Sequence, residues 1–263
     1  MTILDEIATY AKLRVEKDKE AISPEEMKEL AKALPKANRQ LFYDAVAKEG
    51  LSFICEIKKA SPSKGVIDPV FDYKGIAKAY TEAGVDAVSC LTEPKWFQGS
   101  DEIFKEVRSV VTAPMIRKDF VVDEYQIYQA KVLGANCVLL ICSILDTGSI
   151  LRFLDICEEI GLAALVETHD EEEIRRAVSA GSRMIGVNNR NLKNFTVDFT
   201  NAQRLRDFIP EDRLYVAESG VALPSDVTKL ARAGANAVLV GEAMMRAADK
   251  KEFLLKMRKA SEE

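Results

Sequence analysis

Short apolar runs alternate with amphipathic segments along most of the chain, and the two kinds of segment meet at a glycine in four places. At each junction an amphipathic segment ends at a glycine, which suits the left-handed turn that closes a helix, and a short apolar run follows. The junctions are Ala83-Gly84-Val85-Asp86-Ala87-Val88, Gly134-Ala135-Asn136-Cys137-Val138-Leu139, Ala180-Gly181-Ser182-Arg183-Met184-Ile185 and Ala233-Gly234-Ala235-Asn236-Ala237-Val238. A repeated unit of helix, glycine and strand predicts a parallel sheet covered by helices.

The same pattern, followed to the end of the chain, predicts eight strands and eight intervening helices of an α/β fold. The predicted strands cover 52–58, 86–91, 114–118, 137–142, 163–167, 184–188, 214–218 and 237–241. The predicted helices cover 72–83, 101–111, 123–133, 147–160, 171–180, 200–208, 224–233 and 243–260. This arrangement matches a (β/α)₈ TIM barrel, which typically takes ~250 residues. A doubly wound open sheet is the rival fold, but no Gly-x-Gly-x-x-Gly motif follows the first strand.

The first fifty residues lie outside the repeat and have helical spacing. Helices are predicted over 3–15, 24–34 and 37–49, and Ser23-Pro24-Glu25-Glu26 supplies a capping serine, a first-turn proline and first-turn acids. A segment of this size would form a marginal core alone. We therefore expect residues 1–50 to be a helical extension packed on the barrel, within one domain that covers 1–263.

Composition narrows the class of protein. With 48% apolar and 30% charged residues, the chain has enough of both for a sizeable core and a solvated surface. Its N-terminus lacks a basic region followed by an apolar run, and its longest nearly apolar stretch, 137–145, is far short of the ~20 residues of a membrane helix. We therefore expect a cytoplasmic protein without a membrane partner.

Cysteine, histidine and net charge limit the chemistry further. Three of the five cysteines, Cys55, Cys90 and Cys142, fall on predicted strands, where small buried hydrophobic side chains are expected rather than ligands or disulfides. With His169 as the only imidazole and no Cys-x-x-Cys motif, we expect neither a transition-metal site nor a triad that needs histidine. The net charge of −5 argues against a nucleic-acid partner.

Charged side chains end every second predicted strand. Glu56, Lys118, Glu167 and Glu218 stand at the ends of strands one, three, five and seven. In a (β/α)₈ barrel, alternate strands contribute to one interior layer, and sites form at the carboxyl ends of the strands. Carboxylates and an ammonium in a confined mouth shift each other's pKa values, which suits general acid–base catalysis. A purely structural cluster of ion pairs that caps the barrel is the alternative.

The segment from Glu56 to Gly65 adds a second kind of signal. If the first strand continues to Lys58, Glu56 and Lys58 point to the same side, and burying this pair requires mutual contact or a polar ligand. The following Ser61-Pro62-Ser63-Lys64-Gly65 loop is rich in donors suited to a phosphate. A strand that simply ends in water is the plainer interpretation, but similar polar endings recur along the chain and favour a site.

Basic residues and glycines at the strand ends point to an anionic ligand. The basic residues at this rim are Lys58, Lys59, Lys64, Lys118 and Arg190. On an acidic protein, their gathering at one rim favours an anionic small molecule. Ser219-Gly220 and Gly241-Glu242 end strands seven and eight, where small residues let backbone N–H groups approach a phosphate.

Together these segments resemble the indole-3-glycerol-phosphate synthase family of tryptophan biosynthesis, within the ribulose-phosphate-binding barrel superfamily. The matching motifs are EIKKASPSKGVI from Glu56 to Ile67, MIRKDF, LVETHD, IGVNNRNL, VAESGV and LVGEAMM. The resemblance covers nearly the whole chain, including the helical extension. It implies a carboxy-lyase that closes the ring of 1-(2-carboxyphenylamino)-1-deoxyribulose 5-phosphate, giving indole-3-glycerol phosphate, CO₂ and water without a cofactor or metal.

The resemblance also implies roles for individual residues. Lys118 would donate a proton to the substrate's ketone oxygen, and Glu56 and Glu167 would transfer protons during condensation and dehydration. Lys58 would bind the substrate carboxylate and serve a later protonation, with Arg190 and Asn188 assisting orientation. The implied catalytic set is Glu56, Lys58, Lys118, Glu167, Asn188 and Glu218. The implied substrate- and phosphate-binding set is Ser61, Arg190, Ser219, Gly220, Gly241 and Glu242.

The chain departs from the family pattern at one position. Where some relatives carry a lysine before the motif serine, this chain has Ala60. Lys59 or Lys64 is the candidate replacement for that charge near the phosphate.

Two rival functions share parts of this pattern. Another sugar-phosphate barrel enzyme, such as phosphoribosylanthranilate isomerase, would share the phosphate end but would not need the Glu-x-Lys pair, Lys118 and Glu167 together. A non-catalytic barrel that binds a phosphorylated metabolite is the other. The expected partner is a phosphorylated small molecule, and the expected state is a monomer.

Overall fold

Eight parallel strands close into a barrel in the computed structural model, which describes residues 2–191 and 196–263. The barrel strands, numbered in chain order, are β1 Ser52–Ile57, β2 Ala87–Leu91, β3 Met115–Lys118, β4 Cys137–Ile141, β5 Ala163–Thr168, β6 Met184–Asn188, β7 Leu214–Glu218 and β8 Ala237–Val240. Each strand pairs with its sequence neighbours, and β1 closes the barrel against β8 through Ser52 opposite Ala237. The predicted (β/α)₈ barrel is confirmed, and every strand boundary lies within one residue of its prediction.

Twelve α-helices surround or cap the barrel within the described residues. They are α1 Ile3–Ala21, α2 Pro24–Ala33, α3 Gln40–Val46, α4 Tyr73–Ala83, α5 Asp101–Arg108, α6 Tyr125–Val132, α7 Thr147–Ile160, α8 Glu171–Ser179, α9 Thr200–Leu205, α10 Pro224–Arg232, α11 Glu242–Arg246 and α12 Lys250–Ser261. A 3₁₀ turn, Arg206–Phe208, follows α9. No described helix has both the length and the apolar composition needed to cross a membrane. Leu192, the last residue of the IGVNNRNL motif, lies outside the described residues.

Several helix predictions were wrong in length; the helix predicted over 37–49, for example, covers only Gln40–Val46. Helix α1 continues to Ala21, six residues past the predicted end at 15, before Ser23 caps α2 by accepting the Glu26 N–H. The predicted helix over 243–260 is two helices, because the side chain of Asp249 accepts the Glu252 N–H and starts α12 afresh. The glycine junctions behave as expected: Gly84, at φ 76°, closes α4 with its N–H on the carbonyls of Tyr80 and Thr81.

Apolar side chains form one shell inside the barrel and another between strands and helices. Ile54, Ile116, Leu165 and Val216 fill the interior two residues before the charged strand ends of β1, β3, β5 and β7. The alternate side chains of the same strands, such as Phe53 on β1, pack outward against the helices. This two-residue alternation directs the next interior layer, at the carboxyl ends, into the mouth of the barrel.

The N-terminal extension reaches both ends of the barrel. At the amino-terminal end, α3 packs Phe42, Tyr43 and Val46 against the interior shell, and the Tyr43 hydroxyl accepts the Ala164 N–H at 3.3 Å. At the carboxyl-terminal end, Arg14 of α1 is paired with Asp119, just past β3. Helix α2 packs on α6 along the outside. The extension therefore closes one end of the barrel and borders the other.

Candidate active site

A cavity of about 730 Å³ opens at the carboxyl ends of the strands. Its walls include all twelve residues predicted for the site: Glu56, Lys58, Ser61, Lys118, Glu167, Asn188, Arg190, Glu218, Ser219, Gly220, Gly241 and Glu242. The prediction that Glu56, Lys118, Glu167 and Glu218 share one mouth agrees with this placement. Arg117, the residue before Lys118, is not part of the cavity wall. Its side chain is buried, and a guanidinium nitrogen lies 2.8 Å from Oδ1 of Asp101.

Lys118 lies at the centre of the charged layer. Its Nζ is 3.5 Å from Oε2 of Glu167 on β5 and 3.6 Å from Oε2 of Glu218 on β7. Burial opposes the charged form of Lys118, yet the surrounding carboxylates, Glu167 first, outweigh it and raise the pKa of the ammonium. Lys118 therefore carries a proton in the free protein and holds it within reach of the cavity.

Glu56 and Lys58 form a second charged pair beside Lys118. Strand β1 ends at Ile57, one residue earlier than predicted, yet the Lys58 Nζ contacts Oε1 of Glu56 at 2.5 Å. Burial opposes ionisation of Glu56, but Lys58 and then Lys118 outweigh it and lower the pKa of the carboxyl group. A Cβ at Gly241 would lie 2.7 Å from Oε1 of Glu56, so the glycine also makes room for this pair.

Glu218 differs from its neighbours in charge. Burial, reinforced by the nearby Glu167 carboxylate, raises the pKa of Glu218 to about 8. Its Oε1 is buried and has no hydrogen-bond partner among the described residues. The same oxygen occupies space left open by Gly186 on β6, where a Cβ would come within 2.1 Å. Gly186 is thus a site residue that the sequence analysis missed, although it lies inside the quoted IGVNNRNL motif.

The ends of β6 and β7 form the wall beside Glu218. Asn188 accepts the N–H of Arg190 through Oδ1 at 2.9 Å, and Asn189 donates to the Ser219 carbonyl at 3.0 Å. Ser219 and Gly220 both have left-handed backbones, with φ of 66° and 88°. Two consecutive residues in this region turn the chain sharply at the rim, a conformation that is costly for serine and free for glycine.

The loop after β1 supplies a polar edge. Ala60–Ser61 and Gly65–Val66 pair as a short antiparallel ribbon, which the Ala60 N–H ties to the Phe97 carbonyl. Of the two lysines considered as replacements for a charge at position 60, Lys64 is among the described cavity residues and Lys59 is not. The Lys64 Nζ is 3.9 Å from Oε2 of Glu242, across the cavity rim.

An apolar region borders the charged layer, and sequence analysis did not assign it to the site. Ile3, Leu4 and Ile7 of α1 line the cavity together with Phe97 and Phe120. The spacing of the three α1 residues marks an apolar helix face, but the pattern alone does not show what that face covers. Phe120 follows Lys118 by two residues, and this spacing was the one feature of the sequence that could have placed Phe120 at the cavity.

Solved structures of other proteins share this fold at low sequence identity. Thiamine phosphate pyrophosphorylase from Pyrococcus furiosus has a TM-score of 0.60 and 17% identity, covering 81% of this chain and 95% of its own. A mandelate oxidase variant has a TM-score of 0.55 and 16% identity, covering 81% of this chain and 72% of its own. At this level of identity the likeness concerns the barrel fold alone.

Relatives of known name match far more of the sequence. The indole-3-glycerol phosphate synthase family model matches residues 4–257. A protein of that name from Ruminiclostridium cellulolyticum is 50% identical over 256 residues, which cover 97% of this chain and 98% of the relative. Another, from Lachnoclostridium phytofermentans, is 45% identical and covers 95% and 96%.

The fold and the charged mouth together define a (β/α)₈-barrel enzyme with acid and base groups at the carboxyl ends of its strands. The quoted motifs run through the carboxyl ends of six of the eight strands, all except β2 and β4. The chain belongs to the indole-3-glycerol phosphate synthase family. The predicted family and enzyme class are confirmed, whereas the individual roles of the cavity residues stay predictions. Among the described residues, no group of three or more His, Cys, Asp or Glu side chains is arranged to hold a metal ion.

Proposed function

We propose that this protein converts 1-(2-carboxyphenylamino)-1-deoxyribulose 5-phosphate into indole-3-glycerol phosphate, CO₂ and water. The observation that carries the proposal is the Lys118 ammonium, held 3.5 Å from Glu167 and 3.6 Å from Glu218 in the mouth of a barrel of this family. A lysine proton donor beside the Glu167 carboxylate suits a reaction that first protonates an oxygen and later removes a proton from carbon.

Ring closure is the step proposed for Lys118. The aromatic carbon that carries the carboxylate attacks the ketone carbon, and the carbonyl electrons move to oxygen. Lys118 donates its proton to that oxygen as the negative charge develops, which gives a hydroxyl group. The raised pKa of Lys118 keeps the proton in place until this charge appears. The new carbon–carbon bond closes the five-membered ring.

Loss of CO₂ and of water complete the reaction. When the carbon–carboxylate bond breaks, its electron pair returns to the ring and restores aromaticity. The hydroxyl group then leaves as water after accepting a proton, and a carboxylate removes a proton from the neighbouring carbon. Glu167 and Glu56 are the proposed bases, because both are buried at the mouth and each contacts a lysine. Lys58 is proposed to bind the substrate carboxylate before it departs.

The two ends of the cavity suit the two ends of this substrate. The aromatic ring is proposed to lie against Ile7, Phe97 and Phe120, which form part of the apolar wall. The phosphate is proposed to meet Ser61, Lys64 and the backbone at Gly220 and at Gly241-Glu242, with Arg190 and Ser219 contacting the sugar chain between the two ends.

The decisive experiment supplies this substrate to the purified protein and follows indole absorbance and fluorescence, with the Lys118→Met variant as the matched control. Indole formation by the unsubstituted protein and its loss in the variant are expected. No indole from a folded protein that still binds the substrate would contradict the proposal and favour a binding barrel. If the protein instead isomerises phosphoribosylanthranilate, the result would favour the rival assignment as a phosphoribosylanthranilate isomerase.

We also propose that the whole chain acts as one domain and as a monomer in the cytoplasm. The support for a single domain is that Ile3, Leu4 and Ile7 of the extension line the same cavity as the strand ends of the barrel. Size-exclusion chromatography with light scattering would check the oligomeric state. A dimer at working concentration would contradict it.

A further inference from the structure

His169, the only histidine of the chain, lies between two carboxylates at the edge of the charged mouth. Its Nε2 is 3.5 Å from Oε1 of Glu167, on the side opposite Lys118. Its Nδ1 is 3.1 Å from Oε2 of Glu173 and 3.2 Å from the Ser143 hydroxyl. The imidazole is 17% exposed, and the Glu167 side chain is 3% exposed.

The hydrogen bonds around Nδ1 define which nitrogen carries a proton. The Ser143 hydroxyl donates its one hydrogen to Oε1 of Glu173 at 2.6 Å, so toward Nδ1 it accepts. The Glu173 carboxylate also only accepts. Nδ1 must therefore be a donor. In a neutral ring, Nε2 would then direct a lone pair at the Glu167 carboxylate.

A protonated ring resolves this conflict. Nε2 is buried and has no hydrogen-bond partner among the described residues, although a carboxylate oxygen lies 3.5 Å away. The imidazolium has a hydrogen on both nitrogens, one for Glu173 and one for Glu167. Burial opposes this charge, but Glu173 and Glu167 outweigh it and raise the pKa of His169. Glu218 on β7 is a further titratable group that faces it and favours its protonated form.

The ring is held firmly from the helix side. The Glu173 carboxylate accepts the backbone N–H of His169 at 2.8 Å in addition to its contact with the ring. The backbone N–H of Glu173 in turn donates to the side chain of Asp170, the residue that caps α8. Asn201 of α9 donates to the His169 carbonyl at 3.2 Å. The imidazole is therefore fixed to the first turn of α8, and its Nε2 is directed at Glu167.

We propose that His169, as an imidazolium held by Glu173, is the positioning residue for Glu167. It faces one carboxylate oxygen while Lys118 faces the other, so that Glu167, the proposed base, keeps a single orientation in the mouth of the barrel. The proposal rests on the function proposed above. The competing role is structural: His169 would anchor the loop after β5 through Glu173 and Ser143 without acting on Glu167.

Two variants separate these roles, because each keeps a different half of the imidazole. His169→Gln places an amide near the position of Nε2 and keeps a donor toward Glu167. His169→Asn places one near Nδ1 and keeps the contact with Glu173. Positioning predicts that kcat falls at least about tenfold in His169→Asn and clearly less in His169→Gln, because displacement of a catalytic group costs up to ~10²-fold. A kcat of His169→Asn that equals or exceeds the kcat of His169→Gln would overturn the proposal.

The pH dependence of kcat also separates the two roles, because it should stay unchanged if His169 only anchors the loop after β5. Both variants lack the positive charge that faces the Glu167 carboxylate. The acid limb of the kcat profile should therefore move up by about one pH unit in both variants, because a carboxylate that loses a neighbouring cation is protonated more readily. An acid limb at the same pH as in the unsubstituted protein would overturn the proposal. Matching circular dichroism spectra and melting temperatures confirm that the variants are folded.

A titration of the single imidazole tests the pairing without any substrate. In an untagged chain, the ring-proton NMR signal of His169 is unambiguous. Glu167→Gln removes the carboxylate charge facing Nε2, so the His169 midpoint should fall by roughly one pH unit. An unchanged midpoint would overturn the proposal. If the midpoint falls but the unsubstituted protein forms no indole, the pairing stands and the proposed function fails.

Discussion

Arg14, on a helix that precedes the barrel, binds both carboxylate oxygens of Asp119, the residue directly after Lys118. The two guanidinium contacts are 3.0 and 2.7 Å long, and Thr92 donates a third hydrogen bond to Asp119 at 2.6 Å. Burial opposes ionisation of Asp119, but Arg14 and Arg117 outweigh it and lower the pKa of this carboxyl group. The contact therefore ties α1, whose first turns line the cavity, to the strand end that carries Lys118.

Removing this tie should weaken both folding and substrate binding. Arg14→Leu keeps an apolar stem but leaves Asp119 with only Arg117, the Thr92 hydroxyl and the Phe120 N–H as partners. We expect a loss of about 2 kcal/mol in the free energy of unfolding, less than the ~3–5 kcal/mol of a fully buried pair. KM should rise because Ile3, Leu4 and Ile7 lose their fixed position. Denaturant unfolding and steady-state kinetics measure the two effects.

Lys17→Leu is the matched control for Arg14→Leu, since Lys17 is exposed on the same helix. It should change neither quantity appreciably. An Arg14 variant with the same KM as this control would mean that α1 borders the cavity without shaping it.

Lys118→Met should remove the proton donor while keeping the approximate length of the side chain. General acid catalysis is typically worth ~10²–10⁴-fold, so we expect kcat to fall at least about a hundredfold. Lys118→Arg should restore little activity, because guanidinium is a much weaker acid and has a different shape. Both variants are measured on the same substrate by indole fluorescence. Near-native turnover with arginine would show that position 118 needs only a positive charge.

Glu218 should make stability depend on pH. Its pKa is raised from 4.5 to about 8, so between these values the folded protein keeps a proton that the unfolded chain has released. Stability should therefore decrease as pH rises from 4.5 through about 8. Glu218→Gln has no proton to lose and should gain stability over the unsubstituted protein, by up to a few kcal/mol at pH 8 and little at pH 4.5.

Denaturant unfolding at both pH values checks this prediction. Glu211→Gln, an exposed carboxylate outside the cavity, is the control and should show no such difference between the two pH values. A gain for Glu218→Gln that is the same at both pH values would indicate a packing effect instead of a titration.

Gly220→Ala should raise KM by at least about tenfold, equivalent to ~1.4 kcal/mol of binding. A Cβ at this position would lie 2.7 Å from Cγ1 of Val197, and the backbone there has φ 88°. Both effects displace the backbone proposed to meet the phosphate. Gly181→Ala is matched for backbone strain, with φ 84°, but its Cβ would meet nothing within 4 Å and lies in the α8–β6 turn. Equal KM values in the two variants would remove Gly220 from the phosphate site.

Local patterns were enough to predict the barrel and the chemistry of its mouth. Strand side chains alternate with a period of two, and alternate strands share a layer, so Glu56, Lys118, Glu167 and Glu218 were placed together without a structure. The prediction of one continuous helix over 243–260 was wrong for a local reason as well. Ala247 and Ala248 favour a helix, and the prediction passed over Asp249, whose capping side chain starts a new one.

The sequence by itself determined the strands, their order and the residue types at their ends, because these depend on spacing along one segment and on general rules of barrel closure. Only the tertiary structure decided that α1 borders the cavity through Arg14 and Asp119, and that His169 lies between Glu173 and Glu167. The Arg14–Asp119 contact joins residues 105 positions apart. The energy of such a contact depends on distance, burial and neighbouring charge after folding, and none of these quantities is encoded in a local pattern.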